Sequence, residues 1–179
     1  MEQDSTILIS DLQQHKSAAC QRLLATYGPM VFRMVQRIVT RQEDAEEVYQ
    51  DVFVKALRGI GGYNPRQASL ATWLNHIAYH ESLNFVRGQK PNIIYLDDRD
   101  LGINALEAPD ETPQDEETIQ QLEQALAKLP PHEQAIVSMF YYDNMSLADM
   151  AYVTGANPST IGSQLSRIRK KLYRIIKSR

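Results

Sequence analysis

The chain has 179 residues, 43% of them hydrophobic and 23% charged, with a formal net charge of -3. That length allows one domain or two small ones with packed cores, and a pI near 5.8 argues against a general nucleic-acid binder, so any nucleic-acid contact must rest on local charge. Cys20 is the only cysteine, which excludes an internal disulfide and a cysteine-built metal cluster and fits a reducing cytosol. MEQDSTILIS lacks the basic start and apolar core of a signal peptide, and no apolar run approaches the roughly 20 residues that span a bilayer.

Nearly every segment carries helical periodicity. From about 6 to 39, Leu8, Leu12, Leu23, Leu24, Tyr27, Val31, Met34, Val35 and Ile38 recur at three- and four-residue steps, and Gly28-Pro29 predicts a break with Pro29 in the first turn of the next helix. EDAEEVYQDVFVKAL (43–57) sets Ala45, Val48, Val52, Phe53 and Ala56 on one face, with acids in its first turns and Lys55 and Arg58 at its end, matching the helix dipole. Gly59, Gly61, Gly62 and Asn64-Pro65 predict a loop, and a further helix is predicted from about Leu70 to Arg87. Between 89 and 115 the periodicity vanishes. Pro91, Pro109 and Pro113 punctuate that stretch, and seven acids from Asp97 to Asp115 face only Arg99, the composition of a linker. Helical patterning resumes at about 116–128 (Ile119, Leu122, Leu126) and again after Pro130-Pro131. The expectation is an all-α protein of two small helical domains, 1–88 and 116–179, joined by an acidic flexible linker, 89–115.

The C-terminal end carries the sharpest local signals. Ser146-Leu147-Ala148-Asp149 predicts a capped helix start, with an acid three residues after the serine. Ala151 is small and precedes Gly155 by four, so two helices can approach closely around a glycine free to take positive φ. Asn157 as cap and Pro158 in the first turn predict a second helix, with Ile161, Leu165, Ile168, Leu172 and Ile175 as its apolar stripe. The opposite face carries Ser159, Ser163, Ser166, Arg167, Lys170 and Arg174. From Pro158 onward there are seven Lys or Arg and no acid. Small hydroxyls near the helix start suit base edges, and the later cations suit phosphates, which is the pattern of a DNA-reading helix-turn-helix. The plainer reading is a solvated basic face on a helical hairpin. Gly162 costs about 1 kcal/mol relative to alanine inside a helix; it either admits a close DNA approach or is neutral drift.

Two blocks carry a family resemblance. LPPHEQAIVSMFYYDNMSLADMA followed by NPSTIGSQLSRIRKKL resembles the C-terminal domain of bacterial sigma factors. EDAEEVYQDVFVKAL followed by YNPRQASLATWLNHIAYHESLNFVR resembles their N-terminal promoter-melting domain. Their order and spacing are similar to the small extracytoplasmic-function class, over about residues 5–88 and 116–178. The resemblance implies that Asp44, Glu47, Gln50, Asp51, Phe53 and Lys55 dock on a coiled coil of the polymerase β′ subunit. It implies that Tyr63, Asn64, Arg66, Gln67, Ala68, Ser69 and Leu70 form a loop that receives an unstacked base of the minus-ten element. Trp73, His76, His80, Asn84 and Arg87 would continue that face along a helix, although Trp73 packed on Leu24 or Ile77 is the plainer alternative. It implies that Pro158, Ser159, Thr160, Gly162, Ser163, Gln164, Ser166, Arg167, Lys170 and Arg174 read the minus-35 element. Gly162 and Gln164 stand where basic residues are usual in this family, and Asn84 where an acid is, so promoter specificity is not inherited with the fold.

The implied function is a sigma factor that binds core RNA polymerase through the β′ coiled coil and the β flap, recognises promoters and opens the strands. An anti-sigma partner, a monomeric free state, a cytoplasmic location and the absence of membrane insertion go with that reading. The alternative is a stand-alone helix-turn-helix regulator without core polymerase docking, with 43–87 as a sensor or dimerisation domain. No phosphate-binding glycine loop, matched nucleophile and base, or framed carboxylate pair suggests an enzyme. No cofactor and no metal is expected: His76 and His80 have metal-ligand spacing, but Glu81 follows the second histidine rather than lying between them and further ligands are missing. The linker acids are expected to screen the basic tail in the free protein.

Overall fold

A computed structural model describes residues 2–89 and 116–177, which form eight α-helices and one 3-10 turn with no strand among them. The N-terminal half contains α1 (Glu2–Gln13), α2 (Ser17–Ile38), α3 (Gln42–Gly59), the 3-10 turn Ile60–Gly62 and α4 (Leu70–Gln89). The C-terminal half contains α5 (Glu116–Ala127), α6 (Pro131–Tyr141), α7 (Leu147–Thr154) and α8 (Pro158–Lys177). Apart from Gln89 at the end of α4, the linker expected at 89–115 lies outside the described residues, and so does its screening of the tail.

In the N-terminal half, α2, α3 and α4 pack on one another, with α1 laid against α2 and the 3-10 turn. The predicted face of α3 is buried throughout: Ala45, Val48, Val52, Phe53 and Ala56 all join the core. The break predicted at Gly28-Pro29 is absent, because α2 runs unbroken through it. A proline inside a helix costs about 3 kcal/mol. Against that, Leu23, Val31, Met34, Val35 and Ile38 are all at most 2% exposed, and each buried side chain of this size contributes about 1.5–3 kcal/mol, so packing wins. Gly28 has a packing role instead. A Cβ there would lie 2.7 Å from Tyr49 Oη, so its lack of a side chain leaves room for the Tyr49 hydroxyl against α2. The real break comes at His15, whose backbone takes φ 54° between α1 and α2.

In the C-terminal half, α5, α6 and α7 pack on α8. The α7–α8 turn follows its sequence signals closely. Ser146 Oγ accepts from the Asp149 N–H at 3.0 Å, Gly155 takes φ 76° and donates its N–H to Ala151 O, and Asn157 Oδ1 accepts from the Thr160 N–H at 2.8 Å. Ile161, Leu165 and Ile168 are buried, and Leu172 and Ile175 pack against the same core at partial exposure. The two halves also meet: α4 lies against α7 and α2 against α6, and the apolar cluster continues from one half into the other.

Candidate nucleic-acid interface

α8 supplies the first surface. With its apolar stripe held down, Pro158, Ser159, Ser163, Ser166, Arg167 and Arg174 are exposed, and Thr160, Gly162, Gln164 and Lys170 sit half-buried at the edges. The Ser159 and Thr160 hydroxyls both donate to Asn157 Oδ1, at 2.7 and 2.8 Å, so they tighten the cap while facing solvent. Not all of the tail's cations share this face. Lys171 pairs with Glu133 of α6 at 2.9 Å, and Arg169 donates to Tyr141 Oη at 2.7 Å while lying over the Phe140 and Tyr141 rings. A Cβ on Gly162 would meet nothing within 4 Å, so no packing inside the protein calls for glycine there.

The second surface is the loop after the 3-10 turn and the start of α4. Asn64, Arg66, Gln67 and Ser69 are exposed, whereas Tyr63, Ala68 and Leu70 are buried and underpin the loop rather than face a ligand. Tyr63 Oη donates to Ala68 O at 3.0 Å, which ties the two ends of the loop together. Asn64 Oδ1 accepts from the Arg66 N–H at 3.0 Å, a local turn bond that fixes the tip. Burial and the nearby Tyr27 and Tyr152 hydroxyls push the Tyr63 phenol above its ordinary range, so it stays a neutral donor. Trp73 is half-buried; its ring packs on Tyr63 at 5.2 Å between centroids and lies over Gly59. It therefore has packing partners in the loop beyond the Leu24 and Ile77 considered from sequence.

The predicted DNA face of α4 does not stand free. His76 Nδ1 lies 3.0 Å from Tyr152 O and 3.1 Å from Val153 O of α7, and its ring stacks near Tyr152 at 5.5 Å. Both carbonyls belong to the last turn of α7, where no intrahelical donor reaches them, so the proton sits on Nδ1 and His76 caps α7. His80 packs beside His76, with ring centroids 4.5 Å apart. Desolvation by burial, then the His76 and Arg87 charges, hold His80 below the ordinary imidazole range, with the Val153 carbonyl and Glu81 pulling the other way. Asn84 and Arg87 are exposed. No group of three or more metal-binding side chains occurs among the described residues.

The third surface is the outer face of α3. Glu47, Gln50, Asp51 and Lys55 are exposed and Asp44 is half-buried, within 3.8 Å of Arg41. Phe53 departs from its predicted docking role: it is 5% exposed and edges onto Tyr49, at 5.1 Å between centroids. Lys55 forms an ion pair with Glu81 of α4, so it braces α3 on α4 as well as contributing to the ridge.

Two family descriptions match this architecture, Sigma-70 region 2 over residues 23–91 and Sigma-70, region 4 over residues 119–172. The chain belongs to the sigma-70 family. It is 24% identical to the RNA polymerase sigma-H factor of Pseudomonas aeruginosa over 96% of this chain and 92% of that one. It is 21% identical to the ECF RNA polymerase sigma factor SigW of Bacillus subtilis over 92% of each, and 27% identical to SigM of Mycobacterium tuberculosis over 88% of this chain and 77% of that one. Its fold resembles CnrH, solved in complex with the cytosolic domain of CnrY (TM-score 0.68, 17% identity, 97% of each chain). It also resembles RpoE of Bartonella quintana, solved with the anti-sigma factor NepR (TM-score 0.63, 21% identity, 88% of this chain and 96% of that one). This sigma factor is of the extracytoplasmic-function class: it binds core RNA polymerase and directs transcription initiation at promoters, a regulatory role. A stand-alone helix-turn-helix regulator is not favoured, because the region 2 match covers the segment that reading leaves for a sensor. No helix among the described residues is long and apolar enough to cross a membrane.

Sequence reasoning overlooked the residues that join the two halves. Thr72 Oγ1 donates to Asp149 Oδ1 at 3.2 Å, and Arg37 of α2 pairs with Asp143 at 2.6 Å. Asp149 was legible only as a capping residue, and Arg37, Asp143 and Thr72 carry no local signal of these partners.

Proposed function

We propose that the sigma factor docks on the β′ coiled coil through the exposed ridge of α3, formed by Asp44, Glu47, Gln50, Asp51 and Lys55. Asn64, Arg66, Gln67 and Ser69, on the loop fastened by Tyr63, then receive an unstacked minus-ten base, with Trp73, His76, His80, Asn84 and Arg87 along the single strand. α8 reads the minus-35 element with Ser159, Ser163, Ser166, Arg167, Lys170 and Arg174, while its domain rests on the β flap. In this reading the functional units are 1–88 and 116–179 on a tether at 89–115, acting in the cytoplasm as a monomer until core polymerase or an anti-sigma factor captures them. The complexes recorded for CnrH and RpoE support the last point.

The observation that carries this reading is on α3. Glu47 and Asp51, one helical turn apart, both stand in solvent, while the neighbouring Val48 and Val52 are at most 2% exposed and anchor the helix in the core. A rigid acidic ridge on a buried backing is a surface for a basic partner, and its charges can be reversed without touching the core. The double variant Glu47→Lys/Asp51→Lys is expected to weaken association with core polymerase by at least about tenfold, since close interfacial charge pairs couple by roughly 1.5–7 kcal/mol. Helix content and thermal midpoint should stay at wild-type values. Gel-filtration co-elution with core enzyme is the readout, and undiminished co-elution defeats the proposal.

A further inference from the structure

We propose that Ser163 reads its base as a hydrogen-bond acceptor, so that the group it contacts in the minus-35 element is an amino group in the major groove, on adenine or cytosine. This rests on the assignment of α8 to the minus-35 element made above and deepens it. The inference comes from where the hydroxyl hydrogens of the first two turns of α8 point. Ser163 Oγ donates to Ser159 O at 3.0 Å. Ser159 Oγ and Thr160 Oγ1 donate to Asn157 Oδ1 at 2.7 and 2.8 Å. Chemistry fixes the direction of all three, because an amide or peptide oxygen only accepts. Asn157 is not open to an amide flip either. Its Oδ1 also accepts from the Thr160 N–H at 2.8 Å, and a flip would set two donors against each other. Each hydroxyl therefore spends its one hydrogen inside the protein and keeps lone pairs for an outside donor. Ser159 and Ser163 both face solvent, one helical turn apart.

An oxygen that only accepts has few partners on a duplex. Phosphate oxygens carry no hydrogen, so they are not among them. In the major groove guanine presents N7 and O6 and thymine presents O4, all acceptors, whereas adenine N6 and cytosine N4 are donors. Turning the Ser163 hydrogen towards a base would exchange one hydrogen bond for another, with little net gain. Accepting from an amino group adds a bond to the one already made. The surroundings of Ser163 support the same choice. From Pro158 to Ser166 there is no Lys or Arg, so the first turns lack the long side chains that donate to guanine. The exposed cations Arg167 and Arg174 come later in the helix. Gly162 adds no side chain beside Ser163, and a Cβ there would meet nothing within 4 Å. That open space lets a base edge come close to a hydroxyl carried on a single carbon.

The test uses the full chain assembled with core polymerase. Sites are selected from promoter duplexes randomised over the upstream element, once with the parent protein and once with Ser163→Ala. The base pair at which the variant alone loses its preference marks the contact. Every pair carries an amino group on one strand, so base analogues decide how it is read. At an adenine, purine removes the amino group and 7-deaza-adenine removes N7. At a cytosine, 2-pyrimidinone removes the amino group and 7-deazaguanine opposite it removes N7. For the parent, loss of the amino group should weaken binding about fivefold or more, the lower end for a base contact, and loss of N7 should leave binding unchanged. Ser163→Ala should bind the analogue and unmodified duplexes alike. Ser163→Thr, which keeps a hydroxyl in reach of the same carbonyl, should restore the parent pattern. A parent that tolerates loss of the amino group overturns the acceptor role and leaves base reading by Ser163 standing. An equal loss in Ser163→Ala also overturns it, since the analogue then acts through the duplex and not through the contact. If Ser163→Ala selects the same sites as the parent, Ser163 reads no base, and the assignment made above fails at this residue together with the inference.

Discussion

α4 and α8 are both 20 residues long and both carry residues proposed to contact nucleic acid, yet they are built in opposite ways. α8 packs on α5, α6 and α7 through one apolar stripe, and its opposite face, with Ser163, Ser166, Arg167 and Arg174, stays in solvent. α4 is enclosed by α2, α3 and α7. Of its polar positions, Thr72, Asn75 and Ser82 are buried and His76 is seated against α7, while Asn84 and Arg87 near its end stay exposed. A helix packed on one side keeps its reading face available at all times. A central helix can offer a face to DNA only where one of its coverings can leave. The two proposed surfaces therefore differ in exposure: the polar face of α8 stands in solvent, and the His76 edge of α4 is covered by α7.

The comparison breaks most severely if the stripe of α8 is removed. Ile161 is fully buried, and Ile→Ala at such a site costs about 2–5 kcal/mol, a large fraction of the stability of a small helical domain. Ile161→Ala should lower the thermal midpoint sharply and abolish binding to duplex minus-35 DNA. Because the unfolded C-terminal half no longer covers α4, binding of single strands by the free chain should rise. Calorimetry with fluorescence anisotropy on both DNA forms is the check, and a parallel loss on both forms contradicts the division between the helices.

Smaller changes sharpen the reading of α8 without unfolding it. Ser163→Ala or Ser166→Ala should alter preference among base pairs, with about 1–3 kcal/mol for each lost base contact. Arg174→Ala should weaken binding to every sequence alike and flatten the salt dependence by about one phosphate contact. Titrations on cognate and scrambled duplexes at several salt concentrations separate the two. Equal behaviour of the serine and arginine variants on both DNAs removes the distinction between base-reading and phosphate-reading positions.

What sequence made legible follows the range of the interaction. The Ser146 and Asn157 caps, Gly155, the α8 stripe and the α3 face are set by residues three to seven apart, and all appear as predicted. Gly28-Pro29 misled because its local meaning, a helix break, is overridden by a tertiary one, room for Tyr49. Phe53 carries both a helical apolar period and a place in the family's docking motif, and its burial in the core shows that the period governs. The ties Arg37–Asp143 and Thr72–Asp149 link residues 106 and 77 positions apart, and no periodicity or cap can announce such pairs. Gly162 has open space in place of a packing reason, so only measurements with DNA bear on its role.

The smallest expected effect concerns pH and the covered helix. Desolvation of His80 by burial, followed by the charges of His76 and Arg87, lowers its proton affinity in the closed chain, with the Val153 carbonyl of α7 and Glu81 opposing. Separating the halves returns the ring to water, where its affinity approaches that of ordinary histidine, near 6.5. His132 is likewise lowered by burial, with Lys171 and Arg87 adding to that and Glu133 opposing, so any exposure it gains on opening acts in the same direction. The open state then binds more protons than the closed one between the depressed value and about 6.5. Stability of the closed form relative to the open one must therefore rise with pH through that window and level off above it. On going from pH 7.5 to 5.5 the distance between the halves, read by energy transfer between dyes at Arg58→Cys and Tyr173→Cys in a Cys20→Ser background, should lengthen. A single titrating ring can change the closed-to-open ratio by no more than about tenfold per pH unit. His80→Gln, which keeps a polar side chain but cannot titrate, should flatten the response, and His132→Gln should flatten whatever remains. A distance that shortens on acidification reverses the sign and contradicts the assignment of the response to the burial of His80.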